Sequence, residues 1–220
     1  MKDIALRAIN ELARKHNPDF IVLYGSIVRG DYTDESDIDV ACFCKEPSVT
    51  KDVRLFEGKK LDCWVYKTDE AIPDKKEFLR FVGGEVFVDK NGIGRQFVSE
   101  ITDFFNAGPD RIKADARDHL IEWSKNMLIR ASGDTIEARY RRTWLPCALL
   151  EIYFELRNMW YLGSKQSFIW LKENDCPTYG MFEEAFSDPS NISVLEKLLS
   201  ATTNTEQVQA MDAKKTAPML

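Results

Sequence analysis

The chain is short of histidine, has no long apolar run and carries no surplus of positive charge. Its two histidines, His16 and His119, stand apart from one another, and His119, on a long helical pattern, reads as structural. The five cysteines (Cys42, Cys44, Cys63, Cys147 and Cys176) are odd in number and lack zinc-finger spacing. Cys42 and Cys44 alternate on a predicted strand and are expected to be buried free thiols, which suits a reducing compartment. No apolar run approaches the roughly 18–20 residues of a membrane span. Met1-Lys2-Asp3-Ile4 opens no apolar signal core, so the expectation is a cytoplasmic protein. A net charge of −6 and a pI of about 5.1 argue against a protein that grips long nucleic acid. They leave room for a nucleotide delivered with its own metal ions, and an acidic cleft would attract a cationic small molecule. No internal repeat is visible.

What is present is an ordinary globular composition, 44% hydrophobic and 30% charged over 220 residues, enough for one or two domains. Ile4, Ala5, Ala8, Ile9 and Leu12 share a helical face, predicting a helix over 2–16 that Asn17-Pro18 stops. Strands are expected at 20–24, 38–44 and 61–66, with Gly25-Ser26 turning into a short helix that ends near Gly30. Pro73-Asp74 is expected to open a helix through about Phe81. Gly84 to Asp89 reads as a short strand closed by Asn91-Gly92. Helical patterns then follow at 95–105, 110–132 with Gly133 as its cap, from Asp134 toward Gly163 with Pro146 inside, and at 165–173, 179–186 and 191–200. The fold class is therefore α+β: a small mixed β-sheet domain with helices over 1–108, then an all-helical domain over 109–220. The polar tail after about 202 is expected to be mobile.

Chemistry concentrates between Tyr24 and Val40. A Gly25-Ser26 turn directly after a strand can offer N–H groups and a hydroxyl to phosphate oxygens. Asp37 and Asp39, two residues apart at a strand start, point to one face and suit oxygen coordination of magnesium. The alternation of Leu61-Asp62-Cys63-Trp64-Val65-Tyr66 puts Asp62 on the face of Trp64 and Tyr66. A hairpin-like connection between the two strands would seat Asp62 beside the aspartate pair. Three converging carboxylates repel unless cations sit between them, which is the requirement of a two-metal phosphoryl- or nucleotidyl-transfer site. Arg29 could contact phosphate or pair locally with Asp31 or Asp34. Glu151 and Glu155 lie one turn apart on an apolar helix, and a carboxylate there facing a cleft could act as general base, Glu151 being the first choice.

Gly25-Ser26, Arg29-Gly30, Ser36-Asp37-Ile38-Asp39-Val40 and Leu61-Asp62 resemble the pattern of the DNA polymerase β-like nucleotidyltransferase superfamily over roughly residues 18–66. Gly84 to Gly92 also resembles a feature that follows the core in these proteins. The helical half is similar in length and texture to aminoglycoside nucleotidyltransferases and related bacterial proteins. The resemblance implies that Asp37 and Asp39 hold two Mg²⁺ ions and that Asp62 completes the site of the ion activating the acceptor. It implies that Gly25 and Ser26 hold the β- and γ-phosphates of a nucleoside triphosphate, ATP being the expected one. The acceptor oxygen, on a small molecule that the acidic balance of the chain allows to be cationic, would attack the α-phosphorus and pyrophosphate would leave. A glutamate of the helical domain, here Glu151, would serve as base. The alternatives are an antitoxin-type enzyme that adenylylates a protein and a relative that binds nucleotide without catalysis.

Overall fold

A computed structural model describes residues 1–204; the tail expected to be mobile lies largely outside them. The chain divides into two compact units, Met1–Ala107 and a second beginning at Gly108. In the first, α1 (Lys2–His16) ends where Asn17 turns left-handed at φ 44°, and β1 (Phe20–Tyr24), the short α2 (Ser26–Arg29) and β2 (Ile38–Cys44) follow. The remaining strands are β3 (Lys51–Phe56), β4 (Lys59–Lys67) and β5 (Glu85–Phe87), and α3 (Ile93–Ala107) closes the unit.

The strands form one mixed sheet in the order β3-β4-β2-β1-β5. β1 is antiparallel to β2 and β5, β2 is parallel to β4, and β3 is antiparallel to β4. Because side chains alternate along a strand, the register divides the sheet cleanly. Ile21, Leu23, Ile38, Val40, Leu61 and Cys63 face α1 and bury Ala5, Ala8, Ile9 and Leu12 in one core. The opposite face carries Phe20, Phe43 and Tyr66, which pack with Phe78, Phe81 and Phe97; the Phe20 and Phe43 rings stack at 4.3 Å. Cys42 and Cys63 are buried in the α1-side core, their Sγ atoms 3.6 Å apart, as free thiols.

Two expectations for the first unit change. β2 and β4 are joined not by a hairpin but through β3, so they run parallel. β3 was invisible to pattern because its polarity is reversed: Val53 and Leu55 are exposed while Asp52 is buried. Asp52 is tolerated inside because Lys15 Nζ donates at 2.8 Å, Arg54 Nε at 3.0 Å, and His16 Nε2 lies at 3.2 Å. The two-residue turn Glu57-Gly58, with φ of 47° and 79°, matches the twist of an antiparallel β3–β4 hairpin. The helix expected from Pro73 is only a 3₁₀ segment, Lys76–Phe81.

The second unit is helical: α4 (Ala114–Ala131), α5 (Ile136–Leu156), α6 (Ser164–Asn174), α7 (Cys176–Ser187) and α8 (Ile192–Thr203). α4 ends at Ser132, so Gly133 is not its left-handed cap. The Thr135 hydroxyl caps α5 by accepting from the Ala138 N–H. α5 is the central helix; its Leu145, Leu149, Tyr153 and Phe154 pack with Leu171, Phe182, Leu195 and Leu198. At the end of α5 the buried Arg157 donates to the carbonyls of Tyr153, Ala201 and Thr202, tying α5 to the last turn of α8. No helix among the described residues is long and apolar enough to cross a membrane.

Candidate active site

The site grows from the strand ends of the first unit. In the parallel β2–β4 register Asp39 and Asp62 are direct neighbours, and in the β1–β2 register Tyr24 is opposite Asp39. All three therefore share the face that carries Trp64 and Tyr66 further along β4. Asp37 is the residue before the first residue of β2, and its Oδ2 accepts from Lys60 Nζ at 2.5 Å. Burial, then the charges of Asp37 and Asp62, push the Asp39 carboxyl up to about 6, against a smaller opposing pull from Arg29 and Lys60. The carboxylates thus repel one another across the sheet end.

Gly25 closes the site from the β1 side. Its φ of 77° and ψ of −153° lie in a region that only glycine occupies readily. A Cβ built on it would fall 2.3 Å from Asp39 Oδ2, so the backbone here lies directly against that carboxylate. Ser26, the first residue of α2, is buried. Arg29 ends α2 with its Nε 3.4 Å from Asp31 Oδ1, the local pairing that the sequence left as one option.

Among the described residues no group of three or more His, Cys, Asp or Glu is gathered as a formed metal cage. Asp37 is turned onto the Lys60 ammonium. The donor set nevertheless fits a hard divalent cation: carboxylate oxygens only, adjacent on one sheet face, and mutually repelling without a counter-charge.

Residues 7–69 match the sequence family described as Polymerase beta, Nucleotidyltransferase. Over those residues the first unit is similar to a polymerase β-like nucleotidyltransferase domain. The match spans Gly25, Ser26, Arg29 and all three aspartates, and stops before the helical unit. A solved structure described as a nucleotidyltransferase-like protein from Exiguobacterium sibiricum is 12% identical, with 90% of this chain and 74% of that chain covered. Its TM-score is 0.38. No curated protein matches the chain.

The first unit also holds residues that pattern reading passed over. Lys60 precedes Asp62 by two positions on the same strand, so alternation alone could have put it on the site face. Its hydrogen bond to Asp37 raises its pKa. Arg80 comes from the irregular 3₁₀ segment, where no periodicity could point to it. Its guanidinium lies over Trp64 at 5.3 Å and Phe81 at 5.2 Å and donates to the Tyr66 hydroxyl. Tyr24, beside Asp39, has its phenol pushed up by burial.

In the helical unit Glu151 and Glu155 are both exposed on α5, while Leu149 and Leu150 are buried. Both glutamates line a concavity with residues of α4 and α5. Arg139 pairs with Asp134 at 2.8 Å and Arg142 donates to the Gly133 carbonyl, so both serve the start of α5 locally.

Proposed function

We propose that the protein is a metal-dependent nucleotidyltransferase that moves a nucleoside monophosphate from a triphosphate, ATP first among them, to a hydroxyl of a small molecule. The observation that carries this reading is the Asp39–Asp62 adjacency across parallel strands, with the Gly25 backbone against the Asp39 carboxylate. The domain match over residues 7–69 supports it. Asp37, Asp39 and Asp62 would hold two magnesium ions, which when bound neutralise the triphosphate and acidify the attacking hydroxyl. Gly25 and Ser26 present backbone and hydroxyl groups to the β- and γ-phosphates, and Arg29 adds positive charge beside them. The acceptor oxygen forms its bond to the α-phosphorus as the bond to the β-phosphate oxygen breaks, and pyrophosphate departs. Glu151 is the proposed base for the acceptor's proton. A cytoplasmic setting agrees with the five free cysteines.

The test is Asp39→Asn. At pH 7 Asp39 is ionised against a folded-state value of about 6, above the ordinary carboxyl range. The metal-free fold therefore loses stability as pH rises between those two values, and a neutral amide relieves the cost. Asp39→Asn should be about 1–3 kcal/mol more stable than wild type without metal at pH 7. It should lose the rise in melting temperature that magnesium plus ATP gives the wild type, and metal-dependent pyrophosphate release across an acceptor panel. Near-normal release by the variant would overturn the assignment.

A further inference from the structure

The helical unit contains a cavity of about 530 Å³ between α4 and α5, completed by Tyr161 just beyond α5. That volume suits a small organic molecule. Its walls combine two chemistries. Trp123 and Trp144 meet edge to face, with ring centroids 5.6 Å apart, and Tyr161 and Trp144 keep 36% and 38% of their surface open. Glu151 and Glu155 lie on the same wall, one helical turn apart and on one face. Both are exposed, and neither is held in an ion pair among the described residues.

This lining selects its occupant. An anion would meet two carboxylates. A neutral apolar molecule would desolvate them without compensation. A hydrophilic polycation would leave the aromatic faces unused. A single ammonium group on an apolar body uses both chemistries: the carboxylates supply its counter-charge, the ring faces attract the cation, and the indoles cover the body. We propose that this cavity binds an organic ammonium ion with an apolar body. The inference stands on the helical unit alone and does not depend on the transferase reading.

Calorimetric titration of the full chain without nucleotide tests it, at pH 8, above the ordinary histidine range. The probes are benzyltrimethylammonium, phenylacetate and spermidine. Benzyltrimethylammonium should bind at least about tenfold more tightly than either other probe. Glu155→Gln and Trp144→Leu should each weaken it about tenfold or more at an unchanged melting temperature. Cys147 provides an independent readout on the wild type, because it is an exposed free thiol on the cavity wall while Cys176 is one outside it. The ammonium probe should slow iodoacetamide alkylation of Cys147 and leave that of Cys176 unchanged, which decides the matter even where a variant folds poorly. Equal binding of phenylacetate, tighter binding of spermidine, or unprotected Cys147 would each overturn the proposal.

Discussion

Gly25 and Gly30 both have positive φ, 77° and 83°, yet their surroundings differ completely. A side chain on Gly25 runs into the Asp39 carboxylate, whereas nothing lies within 4 Å of a Cβ on Gly30. Gly25→Ala should cost about 1–3 kcal/mol through its backbone alone and also displace Asp39. The variant should lose the melting-temperature shift given by magnesium plus ATP. Gly30→Ala should pay a smaller backbone cost and keep the shift. Equal shifts in the two variants would mean that the Gly25–Asp39 approach has no part in ligand binding.

At the scale of elements, an ionic cluster links α1 to β3, in addition to the half-buried Phe56 of β3 that packs against the core beneath α1. Asp52 resists burial, but its hydrogen bonds with Lys15, His16 and Arg54 outweigh that and hold its pKa below the usual range. Arg54 also reaches Glu11 of α1 at 2.5 Å. A depressed carboxyl contributes stability above the unfolded value near 4, and the contribution is lost as pH falls through the folded value. Asp52→Asn should therefore be about 1–3 kcal/mol less stable than wild type at pH 7. In urea melts this gap should narrow at pH 3. A gap of the same size at both values would show that Asp52 acts through shape and not charge.

For the molecule as a whole, each unit owns a core: α1 against the sheet in one, the residues around α5 in the other. Asp37, Asp39, Asp62, Gly25, Ser26 and Arg29 all belong to the first unit. Met1–Ala107 expressed alone should keep the circular dichroism of a mixed sheet and a magnesium-dependent rise in melting temperature that Asp39→Asn removes. A fragment that folds but shows no such rise would separate the aspartate cluster from metal binding.

Local pattern by itself determined much of this protein. The helical face of Ala5, Ala8 and Leu12 and the apolar run of β1 were legible, because each element buries a continuous apolar set. The side of β4 that carries Asp62 was legible too, since alternation along a strand is a local property. Tertiary structure decided the rest. The polarity of β3 is inverted because Lys15, His16 and Arg54, which contact the Asp52 carboxylate, come from α1 and from β3 itself, and no window of sequence contains that cluster. With β3 unseen, the parallel pairing that puts Asp39 beside Asp62 could not be deduced. The contacts of Lys60 with Asp37 and of Arg80 with Trp64 depend on how the strands and the 3₁₀ segment meet. Sequence spacing specifies which face a side chain takes; only packing brings two faces together.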